Sequence, residues 1–282
     1  MLPFAKLLDR LQVLRMARRS EYRFSMSDYW SYLRHAEYPG PTRCFPTIQV
    51  VEQDSDYVQL QIGAHRYYWP SKADWTGLAW MHQEVFVPAP QNSHAYEFAG
   101  VRIRPGDRLV DAGASEGFFT RYALQRGATV LAVEPVPSLA EALGKTLAAE
   151  IARGQVKVLP VALGATSGRA NLELVQERLY ESRVANTGTE IQMVSLNDVI
   201  DQECVDFIKM DIEGAEMEAV RGGSEVIARC KPRIAIAVYH ELSNARQVCR
   251  LLREIRPDYQ IRHRGIYAWG GCDPRPVIVY AW

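Results

Sequence analysis

The chain predicts an α/β fold: a mostly parallel sheet with its last strand antiparallel, behind a smaller N-terminal α+β extension. Three observations lead there. From Arg108 onward, short apolar runs alternate with helical segments, the runs falling at Arg108–Asp111, Thr129–Glu134, Val156–Ala162, Val205–Met210 and Arg233–Val238. Alternation at this spacing implies parallel strands with helices on both faces of the sheet. The first run passes straight into Asp111-Ala112-Gly113-Ala114-Ser115-Glu116-Gly117, an acid followed by glycines four apart, before helical spacing resumes at Phe118, Phe119, Tyr122 and Leu124. Lastly, the runs Tyr259–His263 and Val277–Tyr280 are joined by a segment without helical pattern, which suggests an antiparallel pair closing the sheet.

Composition narrows the function classes. The 282 residues allow one large domain, or an α/β domain carrying a smaller one, and 48% apolar content is enough for a sizeable core. Lys+Arg and Asp+Glu balance at 33 each, so no global field draws the chain to nucleic acid. The cysteines (Cys44, Cys204, Cys230, Cys249, Cys272) are widely spaced with no C-x-x-C pair. Such a set argues against a disulfide framework or a structural zinc site and suits a reducing, cytoplasmic location. No apolar run approaches the roughly 18–20 residues that span a bilayer.

Residues 1–95 form the extension. Leu2, Phe4, Leu7, Leu8, Leu11 and Leu14 recur at helical spacing among Lys6, Arg10, Arg15, Arg18 and Arg19. A basic amphipathic helix can lie on an anionic membrane surface, giving peripheral contact. The commoner use is a terminal helix docked on its own domain or on a second subunit, as in a homodimer. Ser25 to Tyr38 is aromatic-rich and is broken by Pro39-Gly40-Pro41. Strands are predicted at Thr47–Val51, Tyr57–Ile62 and His65–Trp69, and a helix over Ala73–Phe86 that ends before Pro88. Residues 96–282 carry the sheet, with further helices near 117–127, 138–153, 214–229 and 244–255.

In open α/β sheets, ligands sit at the carboxyl ends of the strands. Gly113 and Gly117 would let the backbone approach a ligand with no Cβ in the way. No Gly-Lys-Ser/Thr follows, which excludes a triphosphate loop, and Ser115 breaks the dinucleotide fingerprint G-x-G-x-x-G. Glu134 and Pro135 end the second strand, where an acid can accept hydrogen bonds from both ribose hydroxyls; a surface glutamate is the alternative. Ala162, ending the third strand, would flank a planar base or simply fill the core. In Phe207-Ile208-Lys209-Met210-Asp211-Ile212-Glu213-Gly214-Ala215-Glu216, Lys209 and Asp211 need partners once buried. Asp211 is aimed at the pocket, and Glu216 reads as helix-start chemistry. His240 ends the fifth strand, where it is either a base, since its ordinary pKa lies near 6.5, or a strand cap.

Together these segments, with Val133-Glu134-Pro135, Val194-Ser195-Leu196-Asn197-Asp198, Ala237-Val238-Tyr239-His240 and the closing Tyr259…Arg262-His263…Val279-Tyr280-Ala281, resemble the FkbM family of S-adenosylmethionine (SAM)-dependent methyltransferases. The resemblance covers residues 94–282, and Asn197 departs from a position where the family often has Asp. It implies a Rossmann-like class I methyltransferase sheet, SAM as cofactor, and methyl transfer to a hydroxyl of a small molecule, a glycan or glycosylated metabolite. Cofactor contacts then fall to Asp111, Gly113, Ala114, Ser115, Glu116, Gly117, Glu134, Pro135, Ala162 and Asp211. Asp211 and His240 become the catalytic candidates, and Glu213, Tyr239, His263 and Trp269 the acceptor-side candidates. An oxygen set of Asp211, Glu213 and Asp198 is conceivable for Mg²⁺, but nothing fixes its geometry, and no metal is expected. Rival readings are an NAD-type oxidoreductase and a scaffold that keeps the fold without turnover.

Overall fold

The computed structural model describes residues 4–35, 45–200 and 202–282. Leu2, Tyr38, Pro39-Gly40-Pro41 and Cys44, singled out above, lie outside them. The extension comprises α1 (Phe4–Arg19), α2 (Met26–His35), an antiparallel meander of β1 (Ile48–Gln53), β2 (Tyr57–Ile62) and β3 (His65–Pro70), and α3 (Leu78–Phe86). The second half runs β4 (Arg108–Ala112), α4 (Phe118–Leu124), β5 (Thr129–Val133), α5 (Pro137–Thr146), α6 (Ala148–Ala152), β6 (Val156–Leu159), β7 (Ala162–Leu163), β8 (Gly168–Glu173), β9 (Arg183–Ala185), β10 (Thr189–Val194) and α7 (Leu196–Val199). It closes with β11 (Phe207–Met210), α8 (Glu216–Gly222), α9 (Ser224–Cys230), β12 (Arg233–Ala237), α10 (Asn244–Ile255), β13 (Ile261–Arg264) and β14 (Ile278–Ala281).

Seven strands form the main sheet in the order β13-β14-β12-β11-β4-β5-β6. β4, β5, β6, β11 and β12 are mutually parallel, while β14 runs antiparallel to both neighbours. All four residues of β11 are buried, as a central parallel strand requires. The order reverses between β4 and β11, so the crevice beyond their carboxyl ends is the ligand position.

A second sheet, β7-β10-β8-β9, was not foreseen. Only Leu172 is buried along β8, so its apolar pattern carries no strand signal. The meander shares one core with the main sheet: Tyr67 packs edge-on against Phe118 at 4.8 Å, and the Tyr68 N–H donates to Thr146 Oγ1 at 2.8 Å. α1 is held at several points along its length. The Arg10 guanidinium donates to Leu33 O at 2.7 Å, Ala17 is buried, and just beyond α1 Glu21 pairs with Arg246 at 2.6 Å. The cysteine reading needs one correction, since Cys204 and Cys230 form a disulfide across 26 residues. Among the described residues it is the one bridge, linking the approach to β11 with the end of α9.

Candidate active site

The glycine turn is built by backbone geometry. Gly113 and Gly117 have φ of +75° and +87°, values that glycine adopts without steric cost. A Cβ on Gly113 would lie 1.8 Å from the main-chain oxygen of Asp211, so this glycine is what lets the β4 and β11 ends approach each other. A Cβ on Gly117 would meet Leu143 Cδ1 at 2.6 Å, so that glycine serves the packing of α4 on α5. Glu134 ties the end of β5 to the turn: its Oε2 accepts from Ser115 N at 2.8 Å and its Oε1 from Val136 N at 2.9 Å. Burial pushes Glu134 and Glu116 up to about 7.

β11 supplies the second half of the site. Lys209 stands in register with Asp111, and its Nζ donates to Gly113 O at 2.6 Å and lies 3.1 Å from Asp111 Oδ1. Thr120 donates to the other Asp111 oxygen at 2.6 Å. The buried ammonium is thus spent on the floor of the turn. Beyond it, Asp211 Oδ2 accepts from Tyr96 at 2.7 Å and lies 3.7 Å from His94 Nε2, while Oδ1 is 3.5 Å from His240 Nε2. Burial raises the Asp211 pKa, but His240, His94 and Lys209 outweigh it and hold the carboxyl below its ordinary value.

His240 sits between carboxylates. Its Nδ1 is 3.1 Å from Glu216 Oε1 and its Nε2 is 3.4 Å from Glu213 Oε2. Burial opposes charge on the ring, yet Glu216 and Glu213 raise its pKa well above 6.5. Glu216 is fully buried and does more than start α8: it accepts from Ile212 N at 3.1 Å and from Asn244 Nδ2 at 2.9 Å. Glu213 has φ +54°, a conformation costly for a non-glycine residue, held by the Glu216 clamp on this loop.

These groups open onto a cleft of about 840 Å³, within the range of small-molecule sites. Ala114, Ser115, Glu116, Asp211, Glu213, Tyr239 and His240 line it, as does Gly113. Glu134, Pro135 and Ala162 line an adjoining narrow recess of about 50 Å³, which shares Gly113, Ser115 and Asp211 with the cleft. Asp111 and Gly117 line neither and act from behind the turn.

Two acceptor-side candidates are not brought to the cleft. His263 lies on β13, where its Nε2 meets Arg23 O at 3.0 Å and its ring packs edge-on against Tyr22 and Phe24. Trp269 is 71% exposed on a 3₁₀ turn. Strand alternation explains His263: it faces the segment after α1, and its neighbour Arg264 turns inward to bond Asn92 O at 2.8 Å. His263→Ala should therefore leave steady-state methyl transfer within about twofold of wild type; a tenfold loss would return His263 to the site. Asp198 is likewise elsewhere, accepting from Ser195 at 2.7 Å at the start of α7. Asn197, the family departure, accepts from Val226 N at 3.2 Å.

The sequence reading named no site residue in the extension, nor Tyr96 just beyond it. Met81, Glu84 and Tyr96 line the cleft, with His94 buried between Glu84 and Asp211. Burial, then the Asp211 and Glu116 charges, raise Glu84 well above its ordinary value, and burial lowers His94 to about 4. Tyr180 and Arg183 come from around β9 and Arg275 from just before β14, and no local signal marks them, whereas Tyr267 belongs to the aromatic loop Gly265–Gly271 that the sequence places on this rim.

Known proteins resemble this chain in sequence and in fold. The Methyltransferase FkbM domain matches residues 111–260, a span holding the turn, Glu134, Asp211, Glu213, Tyr239 and His240. The methyltransferase sdnD of Sordaria araneosa is 30% identical over 198 residues, which is 56% of this chain and 73% of that protein. The crystal structure of methyltransferase FkbM from Methylobacillus flagellatus aligns with a TM-score of 0.50 at 24% identity, covering 65% of this chain. The chain spans 45% of that protein's length, and the likeness bears on the fold, a class I methyltransferase sheet. A family match over more than half of the chain makes this protein a member of the FkbM methyltransferase family.

Proposed function

We propose that the protein is a SAM-dependent O-methyltransferase acting on a hydroxyl of a small molecule, a glycan or glycosylated metabolite. The observation that carries the reading is the meeting of the glycine turn and the Asp211 carboxylate in one cleft. The residues present fit the cofactor. Glu134 lies at the recess with carboxylate lone pairs for ribose hydroxyls, and Ala162 and Leu163 offer an apolar wall for a base. Ser115 Oγ and Glu116 Oε2 are buried beside the cleft with no hydrogen-bond partner among the described residues, as groups that await a polar ligand would be.

Bound SAM would supply an electrophilic methyl on a sulfonium, with a neutral thioether as leaving group for attack by the acceptor oxygen. The chain's own part is alignment and proton removal. Asp211, anchored by Tyr96 through one oxygen, takes the hydroxyl proton on the other. His240, whose ring keeps its proton between Glu213 and Glu216, positions that carboxylate and serves as a positioning residue instead of the base. Tyr239 stacks on Tyr267 at 4.9 Å with the Arg275 guanidinium 5.4 Å from the Tyr267 ring, an aromatic wall suited to a sugar face. Rigid placement of donor and acceptor accounts for most of the expected rate.

Calorimetric titration with SAM or S-adenosylhomocysteine tests the reading, and no binding at millimolar ligand would sink it. Glu134→Ala should weaken binding about 10- to 100-fold, the loss of charged hydrogen bonds. A pH series adds a second check. With its folded pKa raised to about 7, Glu134 favours the unliganded fold most below the ordinary carboxylate range, and that contribution fades as pH rises through 7. The ionised form is the better acceptor for ribose hydroxyls, so affinity should rise several-fold from pH 6 to 8. Glu134→Gln should flatten that rise, and an unaltered slope would remove Glu134 from the assignment.

A further inference from the structure

We infer that the carboxylate–imidazole cluster at the cleft floor is a divalent-cation site, formed by Asp211, Glu216 and His240 with Glu213 beside them. Ligand atoms of Asp211, Glu216 and His240 lie within 4.8 Å of one another. Around one ion with bonds of about 2.1–2.4 Å, adjacent donors stand about 3.0–3.4 Å apart and opposite ones about 4.2–4.8 Å. One ion takes one ring nitrogen of His240: through Nδ1 it would sit beside Glu216 Oε1, 3.1 Å away, and through Nε2 beside Asp211 Oδ1, 3.5 Å away, with the remaining carboxylate completing the set.

The histidine makes this more than a group of acids. Its side chain is 10% exposed, and neither ring nitrogen makes a hydrogen bond of normal geometry among the described residues, although carboxylates face both. A divalent ion entering this cluster would take one ring nitrogen, releasing the proton it carries, together with the carboxylate oxygens that face it. Lys209, the nearby ammonium, is committed to Asp111 and to the carbonyls of the turn. The carboxylates are braced as metal ligands usually are. Tyr96 holds Asp211 Oδ2 and leaves Oδ1 toward His240, while Ile212 N and Gly214 N donate to Glu216. One nitrogen with carboxylate oxygens favours a transition-metal ion such as Mn²⁺ or Zn²⁺ over Mg²⁺, whose ligands are oxygen throughout. This differs from the Asp211, Glu213 and Asp198 set considered from sequence, because His240 and Glu216 take the place of Asp198.

The site shares residues with the transfer centre but does not depend on that reading, so the probe is the metal alone. Full-length protein stripped with EDTA is titrated with Mn²⁺ in the absence of SAM, and free Mn²⁺ is followed by its electron paramagnetic resonance signal. One bound ion per chain is expected, weakened at least tenfold in His240→Gln and in Asp211→Asn, with Glu190→Gln, an exposed acid on β10, binding as wild type does. Circular dichroism melts establish that each variant is folded; if His240→Gln is not, Asp211→Asn decides. Failure of both Mn²⁺ and Zn²⁺ to bind at millimolar concentration, or undiminished binding in the folded variants, overturns the site. Stoichiometric Mn²⁺ without transfer activity would uphold the site and fell the proposed function.

Discussion

Lys209→Met is expected to lower the unfolding free energy by about 3–5 kcal/mol, the usual cost of removing one partner from a buried ion pair. Asp111 is 0% exposed and Lys209 4%, so neither charge has water to fall back on. The ammonium also satisfies the carbonyls of Ala112 and Gly113, and its loss strips the floor from the glycine turn. Urea denaturation would measure the effect. Pairing the change with Asp111→Leu should recover much of the stability, because both charges are then removed together. A loss below about 1 kcal/mol in the single variant would mean that the pair contributes little to the β4–β11 junction.

Gly113→Ala is expected to weaken SAM binding more than about 100-fold. A left-handed backbone alone costs a non-glycine residue roughly 1–2 kcal/mol. The new Cβ would also overlap the Asp211 main-chain oxygen, and no side-chain rotation relieves a clash with backbone. The two strand ends must separate, and the Asp211 carboxylate moves away from the turn. Gly154→Ala is the control, since Gly154 has φ +70° with nothing within 4 Å of an added Cβ. Calorimetric affinity should be near wild type in Gly154→Ala and lost in Gly113→Ala. Full affinity in the latter would show that the turn tolerates what its geometry forbids.

Both predictions concern the stretch that was most legible beforehand. The run ending in Asp111, the two glycines and the Lys209–Asp211 strand each announce themselves within about ten residues, because a buried parallel strand and the turn after it are local patterns. Glu134 could be placed by the same logic, as the acid that ends the next strand. The secondary sheet around β8 could not, because β8 buries only Leu172 and so shows no period. His263 misled for a related reason. A residue at a strand end can face either side of the sheet, and the covering Tyr22 and Phe24 come from a segment 240 residues earlier in the chain.

By itself, the sequence determined the parallel sheet, its closing antiparallel pair, the turn at its switch point and the carboxylates at the ends of β5 and β11. Each follows from residue order over a few positions, where backbone sterics and burial act locally. The tertiary structure alone decided which side chains surround Asp211. Tyr96 reaches it across 115 residues, Glu84 and His94 arrive from the extension, and Glu216 closes on His240 from the following helix. Those contacts depend on how the extension and the loops fold over the crevice, a matter of packing between distant segments that no local pattern records.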